Sequence, residues 1–428
     1  MRRRSFLEAL GITAGALVLA PARGLTVASG ERAAGADVAG ATDWAAVRAQ
    51  FRLPHDYAFF NTAGLGSSPI PVLDAIKARM DTEEEAPSPG HSEDDWNRIR
   101  GKCASLLGPG CRAQDVAFVS TATEGINAIV NTVPLGRGDE VITTTHEHAA
   151  VTLALLHKIR TTGCVVKTFD PDLETAQGNV DRIAALVTPR TKLILISHVT
   201  CTTGQLMPAA AIGRLAAARG VTFALDGAQS LAHVPFDISA TGVHYYTASC
   251  HKWLMGPKRT GLLYVRPDRQ LTSVPTIVGA YSEAASDFTA RTITLRPNAQ
   301  RFEYGTQNAP LIYGLEAACD YLTAFGLDAV WQRNRDMAER CRAALERIDG
   351  VEILSPADVP SRTAILTFRV KGRDGRAVAG ALGARRMRVR TVSEADLNAV
   401  RLSFHVCNGT AEVDRFVAEL PAALASIG

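Results

Sequence analysis

The chain has 428 residues, 46% of them apolar, and 46 basic side chains against 43 acidic ones for a formal net charge of +3. That length can bury a large core and suits one large domain with a smaller one. The near-neutral balance excludes a polybasic nucleic-acid or membrane-surface protein, and the eight cysteines, with no C-x-x-C among them, give no zinc site and no disulfide framework.

In chain order, residues 2–7 read R-R-R-S-F-L, residues 9–20 form a modestly apolar run, and residues 20–22 read A-P-A. The run is too short to span a bilayer. The order of basic start, apolar run and small-residue cleavage site resembles a twin-arginine (Tat) signal peptide over residues 1–22. That resemblance implies export of a folded protein to the periplasm, with no membrane attachment once the signal is removed. Residues 23–42, rich in Ala and Gly, read as a linker.

Residues 43–52 have helical spacing, with Trp44, Val47 and Phe51 near one face, and residues 57–60 read as a short strand. The strand ends in N-T-A-G-L-G at residues 61–66, where close glycines let backbone approach a ligand. Helices are expected over residues 71–80 and 94–107, with the acidic run 81–85 between them as a solvated face. Residues 116–119 form a strand running into S-T-A-T-E-G-I-N at 120–127. Small and hydroxyl residues at a helix start offer backbone N–H groups to an anion, or a plain N-cap. A strand at 140–145 precedes H-E-H-A-A at 146–150, which fails the H-E-x-x-H zinc motif. Further strands are expected at 164–169 and 193–198, with a helix near 181–187 between them, and later at 364–370 and 400–404.

The most informative stretch is 221–266. Two apolar strands, 221–225 and 243–248, are followed respectively by Asp226 and Gln229, and by Ser249, His251 and Lys252. Ligands in parallel sheets sit outside the carboxyl ends of strands, so an acid, an amide, a hydroxyl, an imidazole and an amine are expected to converge. That set meets the needs of pyridoxal 5′-phosphate. Lys252 suits the Schiff base with its aldehyde. Asp226 suits the ring nitrogen, Gln229 the ring hydroxyl, and Ser249 and His251 the phosphate.

D-G-A-Q-S at 226–230 and S-x-H-K-x-x-x-G-P-K-R-T-G-L-L-Y-V at 249–265 resemble the class V aminotransferases within the fold-type I pyridoxal-phosphate enzymes. The resemblance implies an α/β fold with a mostly parallel seven-stranded sheet flanked by helices, and a smaller C-terminal α+β domain. It divides the chain into an N-terminal segment at 43–63 packed on the small domain, a large cofactor-binding domain at 64–304 and a small domain at 305–428. It places Ala122 and Thr123 in the phosphate cradle and stacks His148 on the ring. Asn61 and Gly64 lie over the substrate, and Arg401 of R-L-S pairs with its carboxylate. Thr306, after Gly305, completes the partner's phosphate site, which implies a homodimer. Arg390 is a candidate for the same crevice.

The desulfurase branch carries Asn where Cys201 stands, and a catalytic cysteine on the loop before Arg401. No cysteine lies between Cys341 and Arg401. The nearest expectation is therefore the isopenicillin N epimerase-like branch, acting at Cα of an amino acid or amino-acid-like amine. A class V transaminase or a C–S lyase is the alternative, and a non-catalytic cofactor or amine binder a remote one. The substrate and the roles of Cys201 and Arg390 stay open.

Overall fold

The computed structural model describes residues 42–87 and 92–427. The Tat-like residues 1–22, and the linker residues before Thr42, lie outside the described residues. Strand β1 (Ala58–Phe59) comes first. The large sheet is built from β2 (Val116–Val119), β3 (Glu140–Thr144), β4 (Val165–Phe169), β5 (Thr191–Ser197), β6 (Thr222–Asp226), β7 (Tyr245–Ser249) and β8 (Gly261–Val265). Its order is β2-β8-β7-β6-β5-β3-β4. β8 runs antiparallel to both its neighbours, and the other pairs are parallel.

Strands β6, β7 and β8 are almost wholly buried because both faces are covered, whereas the edge strand β4 is not. Ile194, Phe223, Leu225 and Tyr246 pack on one face with Trp96, Ile212 and Leu315 from helices. Leu193, Leu195, Ala224 and Tyr245 pack on the other with Ile126, Ile129, Val151 and Leu155. The two-residue alternation of a strand sends neighbours in sequence to opposite cores.

A hairpin of β9 (Glu283–Asp287) and β10 (Thr292–Leu295) comes next. The C-terminal part then builds a second sheet. Its strands are β11 (Val351–Ile353), β12 (Ile365–Val370), β13 (Met387–Arg388), β14 (Arg390–Val392) and β15 (Ala399–Ser403). The order β11-β12-β15-β14 is antiparallel throughout. β13 pairs in parallel with β1, and Phe60, Phe368, Phe404 and Phe416 share one core. The α/β class, the seven-stranded sheet and the smaller C-terminal sheet agree with expectation.

Several boundaries differ from the sequence reading for local reasons. The first helix is Trp44–Ala49, set by Asp43, whose carboxylate accepts from the N–H groups of Ala45 and Ala46. The next helix is Ile70–Glu85, so it absorbs the acidic run. Glu is a good helix former and no breaker precedes the run. The helix expected near 181–187 spans Ala176–Leu186, because the Thr175 hydroxyl caps it by accepting from Gly178 N–H at 3.0 Å. β7 begins at Tyr245 and takes in Ser249. The hairpin has an almost wholly exposed Phe288 at its turn, and the small and polar residues of β9 carry little strand signal, unlike the T-I-T-L of β10.

One buried ion pair ties the first helices to the large sheet. The Arg100 guanidinium donates to both Glu303 carboxylate oxygens at 3.0 and 2.5 Å, and Phe118 N–H donates to the same carboxylate at 2.8 Å. Both side chains are almost fully buried. Removing one partner strands the other charge in a dry site. Glu303→Ala should therefore cost about 3–5 kcal/mol in urea unfolding. Asp414→Ala, which breaks the exposed Arg340 pair, should cost under about 1 kcal/mol.

Candidate active site

The carboxyl ends of β5, β6 and β7 open into a cavity of about 200 Å³. Asp226 is the last residue of β6 and Ser249 the last of β7. Lys252 stands three residues beyond Ser249, in the turn before β8. Asp226, Gln229, Ser249, His251 and Lys252 all line this cavity. The helix Ala122–Thr132 adds Ala122 and Thr123, and the helix Ala149–Thr162 adds His148 from its N-cap. Gly64, Cys201, Arg390 and Arg401 close it.

Two predicted residues lie elsewhere. Asn61 stands behind Arg401, and its side-chain oxygen accepts from Arg401 Nη2 at 3.1 Å. Thr306 lines a separate cavity with Glu124, Lys258, Arg259 and Tyr304.

The floor is fixed by contacts that hold each group in one orientation. Ala122 N–H, in the first turn of its helix, donates to the Ser249 hydroxyl at 3.0 Å. The N–H of Thr123 has no acceptor among the described residues. His251 leaves Nδ1 buried and unpaired, and burial pulls its imidazole down to about 4, with the Lys252 and Lys258 charges adding to the effect. A helix start, a hydroxyl and an unsatisfied ring nitrogen form a set of groups an oxyanion would complete.

Asp226 takes Ala228 N–H on one carboxylate oxygen at 2.9 Å, and its backbone oxygen accepts from His198 N–H at 2.8 Å. Gln229 donates to Ala63 O at 2.8 Å and accepts from Trp253 Nε1 at 2.8 Å. Its second amide hydrogen stays free for the cavity. His148 accepts Ala150 N–H on Nδ1 at 3.1 Å. That contact assigns the ring proton to Nε2, and burial and then the Lys252 charge hold the imidazole below its usual range. The ring is therefore a neutral face, suited to stacking.

Lys252 is only 8% exposed. Its amine has no hydrogen-bond partner among the described residues. Burial pulls it below the ordinary lysine range, and Asp226 opposes that pull. The loop from Asn61 packs directly beneath it, where Gly66 N–H donates to His251 O at 2.8 Å. A Cβ at position 66 would stand 2.3 Å from Lys252 O, so only glycine fits that approach.

Arg401, on β15, is 1% exposed. It donates to Cys201 O at 2.6 Å and to Asn61, and its Nε is unpaired. No carboxylate meets it among the described ion pairs. Burial, with Arg390 adding to it, pulls its guanidinium down to about 9. A buried cation without a counter-ion is a receptor for an anion.

Two participants escaped the sequence reading. Glu147 is buried beneath the cavity and joins the ends of β3 and β5. It accepts from Thr144 Oγ1 at 2.8 Å and from Ser197 N–H and Oγ at 3.1 and 2.6 Å. Glu394, in the turn after β14, meets Arg390. Its spacing of four from Arg390 is a helical cue, whereas the backbone here is strand and turn, so the sequence carried no signal for the pair.

Comparison with known proteins adds three findings. Residues 77–416 match the family model described as aminotransferase class V. A probable cysteine desulfurase 2 from Mycobacterium leprae is 29% identical over 90% of this chain and 98% of its own, and isopenicillin N epimerase from Amycolatopsis lactamdurans is 28% identical over 89% and 98%. A solved structure of a lysine-to-alanine variant of C-DES, with glycine covalently linked to its PLP cofactor, is 25% identical over 87% of this chain and 98% of that one, with a TM-score of 0.79.

Glu147 gives a pH signature. Burial pushes its carboxyl up to about 7 from an ordinary 4.5, against the hydrogen bonds that favour the anion. A carboxyl whose folded value is raised binds protons on folding, so its contribution is complete below about 4.5 and is lost as pH rises through about 7. Glu147→Gln cannot titrate. The stability of the native protein relative to this variant should fall by about 3 kcal/mol between pH 4.5 and 7.5, measured by urea unfolding. A flat difference would show that the carboxyl ionises freely.

Proposed function

We propose a carbon–sulfur lyase reaction for this chain, which belongs to the class V aminotransferase family and is a pyridoxal-phosphate enzyme. The residues fit the cofactor: the unpaired His251 nitrogen, the Ser249 hydroxyl and the start of the helix at Ala122 suit its phosphate, Asp226 its ring nitrogen, and Lys252 its aldehyde. Bound there, pyridoxal phosphate supplies an electron sink for charge that develops at Cα.

The chain's own groups define the rest. Arg401 holds the substrate carboxylate, since it is the buried cation lacking a counter-ion. His148 keeps a flat neutral face over the site. Lys252 takes the Cα proton, and burial lowers the basicity of its amine, with Asp226 opposing that pull. The Cβ–S bond then breaks with its electron pair on sulfur, and a proton returns to that sulfur. With cysteine and one water, the balanced products are pyruvate, ammonia and hydrogen sulfide.

The observation that carries this reading is the asymmetry of proton-transfer groups around the cavity. Lys252 is a buried amine with no partner to satisfy, as a base must be. The only other thiol or amine among the described lining residues is Cys201. Its Sγ faces His146 O at 4.0 Å, and burial raises its pKa. One competent base suffices for elimination, whereas inversion at Cα uses donors on both faces. The loop that carries a sulfur-accepting cysteine in desulfurases holds none here, so sulfur leaves directly. The desulfurase relatives support C–S chemistry. The second reading is the epimerase-like one, for which Cys201 would be the second donor and the 28% identical epimerase the support.

We also propose export by the twin-arginine route and a homodimer in which Thr306 serves the partner's site. Light scattering of the mature protein should return twice the chain mass, and a monomer that retains full activity would remove the second of these proposals.

Proton NMR in heavy water with the loaded enzyme and L-cysteine, L-cystine and L-alanine tests the reaction. The sulfur substrates should give pyruvate and ammonia, and Lys252→Ala should lower that turnover by at least about a thousandfold. Intact amino acid that exchanges Cα–H and accumulates as the D-form would make the enzyme an epimerase. A keto acid retaining the sulfur would make it a transaminase.

A further inference from the structure

Arg390 and Arg401 are register partners on the adjacent antiparallel strands β14 and β15. Paired positions present their side chains to one face, and both arginines line the cavity. Arg401 has no carboxylate partner among the described residues. Arg390 has one, Glu394. A cavity walled by two free guanidiniums would take an amino acid with two anionic groups, one on each fork. Glu394, which does not itself line the cavity, removes that possibility by pairing with the second guanidinium.

The pair is not a surface accident. Each side chain is about one-quarter exposed. Arg390 Nη1 and Glu394 Oε2 are buried and unpaired, so the two groups meet through a single contact and not as a bidentate fork. The turn that carries Glu394 places Ala395, Asp396 and Asn398 at φ of 51°, 54° and 45°. Left-handed backbone at residues other than glycine is unfavourable, and its persistence shows that the surrounding structure imposes it.

We infer that Glu394 is a specificity-determining residue that occupies Arg390 and thereby turns the cavity against amino acids with an anionic side chain. A substrate carboxylate still finds Arg401. An uncharged side chain passes beside a guanidinium neutralised by its partner, whereas a side-chain carboxylate finds Arg390 already paired with Glu394 and is repelled by that neighbouring charge. Specificity of this kind comes from the repulsive element as much as from the attractive one. The inference rests on the crevice being an amino-acid site.

Calorimetric titration of the cofactor-loaded enzyme with L-alanine and L-aspartate tests it. In Glu394→Gln the aspartate dissociation constant should fall at least about tenfold, and the alanine constant should stay within about twofold. Adding Arg390→Gln to that variant should abolish the gain. A second measurement uses Arg390→Gln alone, which leaves Glu394 as an unpaired anion. This variant should bind L-2,4-diaminobutyrate at least about tenfold more tightly than the native enzyme does, and it serves if Glu394→Gln fails to fold. Alanine binding with unchanged ratios in both variants overturns the inference alone. Failure of the native enzyme to bind any amino acid overturns the amino-acid reading and the inference together.

Discussion

Positive charge buried without a protein counter-ion is the constraint around which this crevice is arranged. Lys252 and Arg401 are both nearly inaccessible, and Arg401 has backbone and amide oxygens as partners, with no carboxylate among the described residues. Desolvating a cation costs several kcal/mol in practice. The structure offsets little of that cost internally. Asp226 lies close enough to raise the Lys252 basicity but not to cancel the effect of burial. Anionic groups brought from outside, a phosphate at one end and a carboxylate at the other, complete the electrostatics that the fold leaves open.

Holding those groups in place is the work of the sheet edge. Asp226 and Ser249 end neighbouring parallel strands, so their spacing is fixed by backbone hydrogen bonding, not by loop packing. Ser249 is tied in turn to Ala122 at the start of a helix, and Glu147 locks β3 to β5 directly below. The C-terminal sheet brings Arg401 to the same point, with the residues from Asn61 onward wedged between. Ala63 N–H donates to the Ser403 hydroxyl at 3.0 Å, and Gly66 lies against the Lys252 backbone. Rigid elements from distant parts of the chain thus meet at one cavity, and rigidity of this kind keeps reacting groups aligned.

The large sheet and the cofactor-facing side of the site were legible because they rest on local patterns. Unbroken apolar runs ending in Asp226, or in Ser249-x-His251-Lys252, show both the strand and the polar groups at its carboxyl end. The substrate-facing side was less legible. Arg401 was readable as an arginine inside a strand, which needs a partner, and Arg390 as a candidate for the same crevice, while their side-by-side register comes from the pairing of β14 with β15. Glu394 had no signal, since its role depends on a left-handed turn in which Asp396 and Asn398 are tolerated residue types but Ala395 is not. Asn61, expected over the substrate, has its side-chain oxygen bound to Arg401 Nη2. The small and polar residues of β9 carried little strand signal, and the T-I-T-L of β10 was a strand cue left unread.

The same division explains why the fold and the cofactor are more firmly read than the reaction. Elements that bind pyridoxal phosphate are shared among enzymes that epimerise, transaminate or eliminate, so they cannot separate those outcomes. The groups that do separate them stand on the opposite wall, and there this chain has its own chemistry. It carries Cys201 where a desulfurase has a polar amide, and the turn before Arg401 offers Glu394 and no thiol. A thiol turned toward a backbone oxygen and raised by burial is a poor proton donor at Cα. Against the opposing pull of burial, the Glu394 carboxyl is held below its usual range by its own backbone N–H and by Arg390, and is a poor acid as well. In the reading we propose, this wall, with Arg390 paired to Glu394 and Arg401 left as the free cation, chooses substrates, and proton transfer falls to Lys252. With Lys252 as the proposed base and Arg401 as the proposed carboxylate receptor, loss of a leaving group from Cβ is the reading we propose over inversion at Cα.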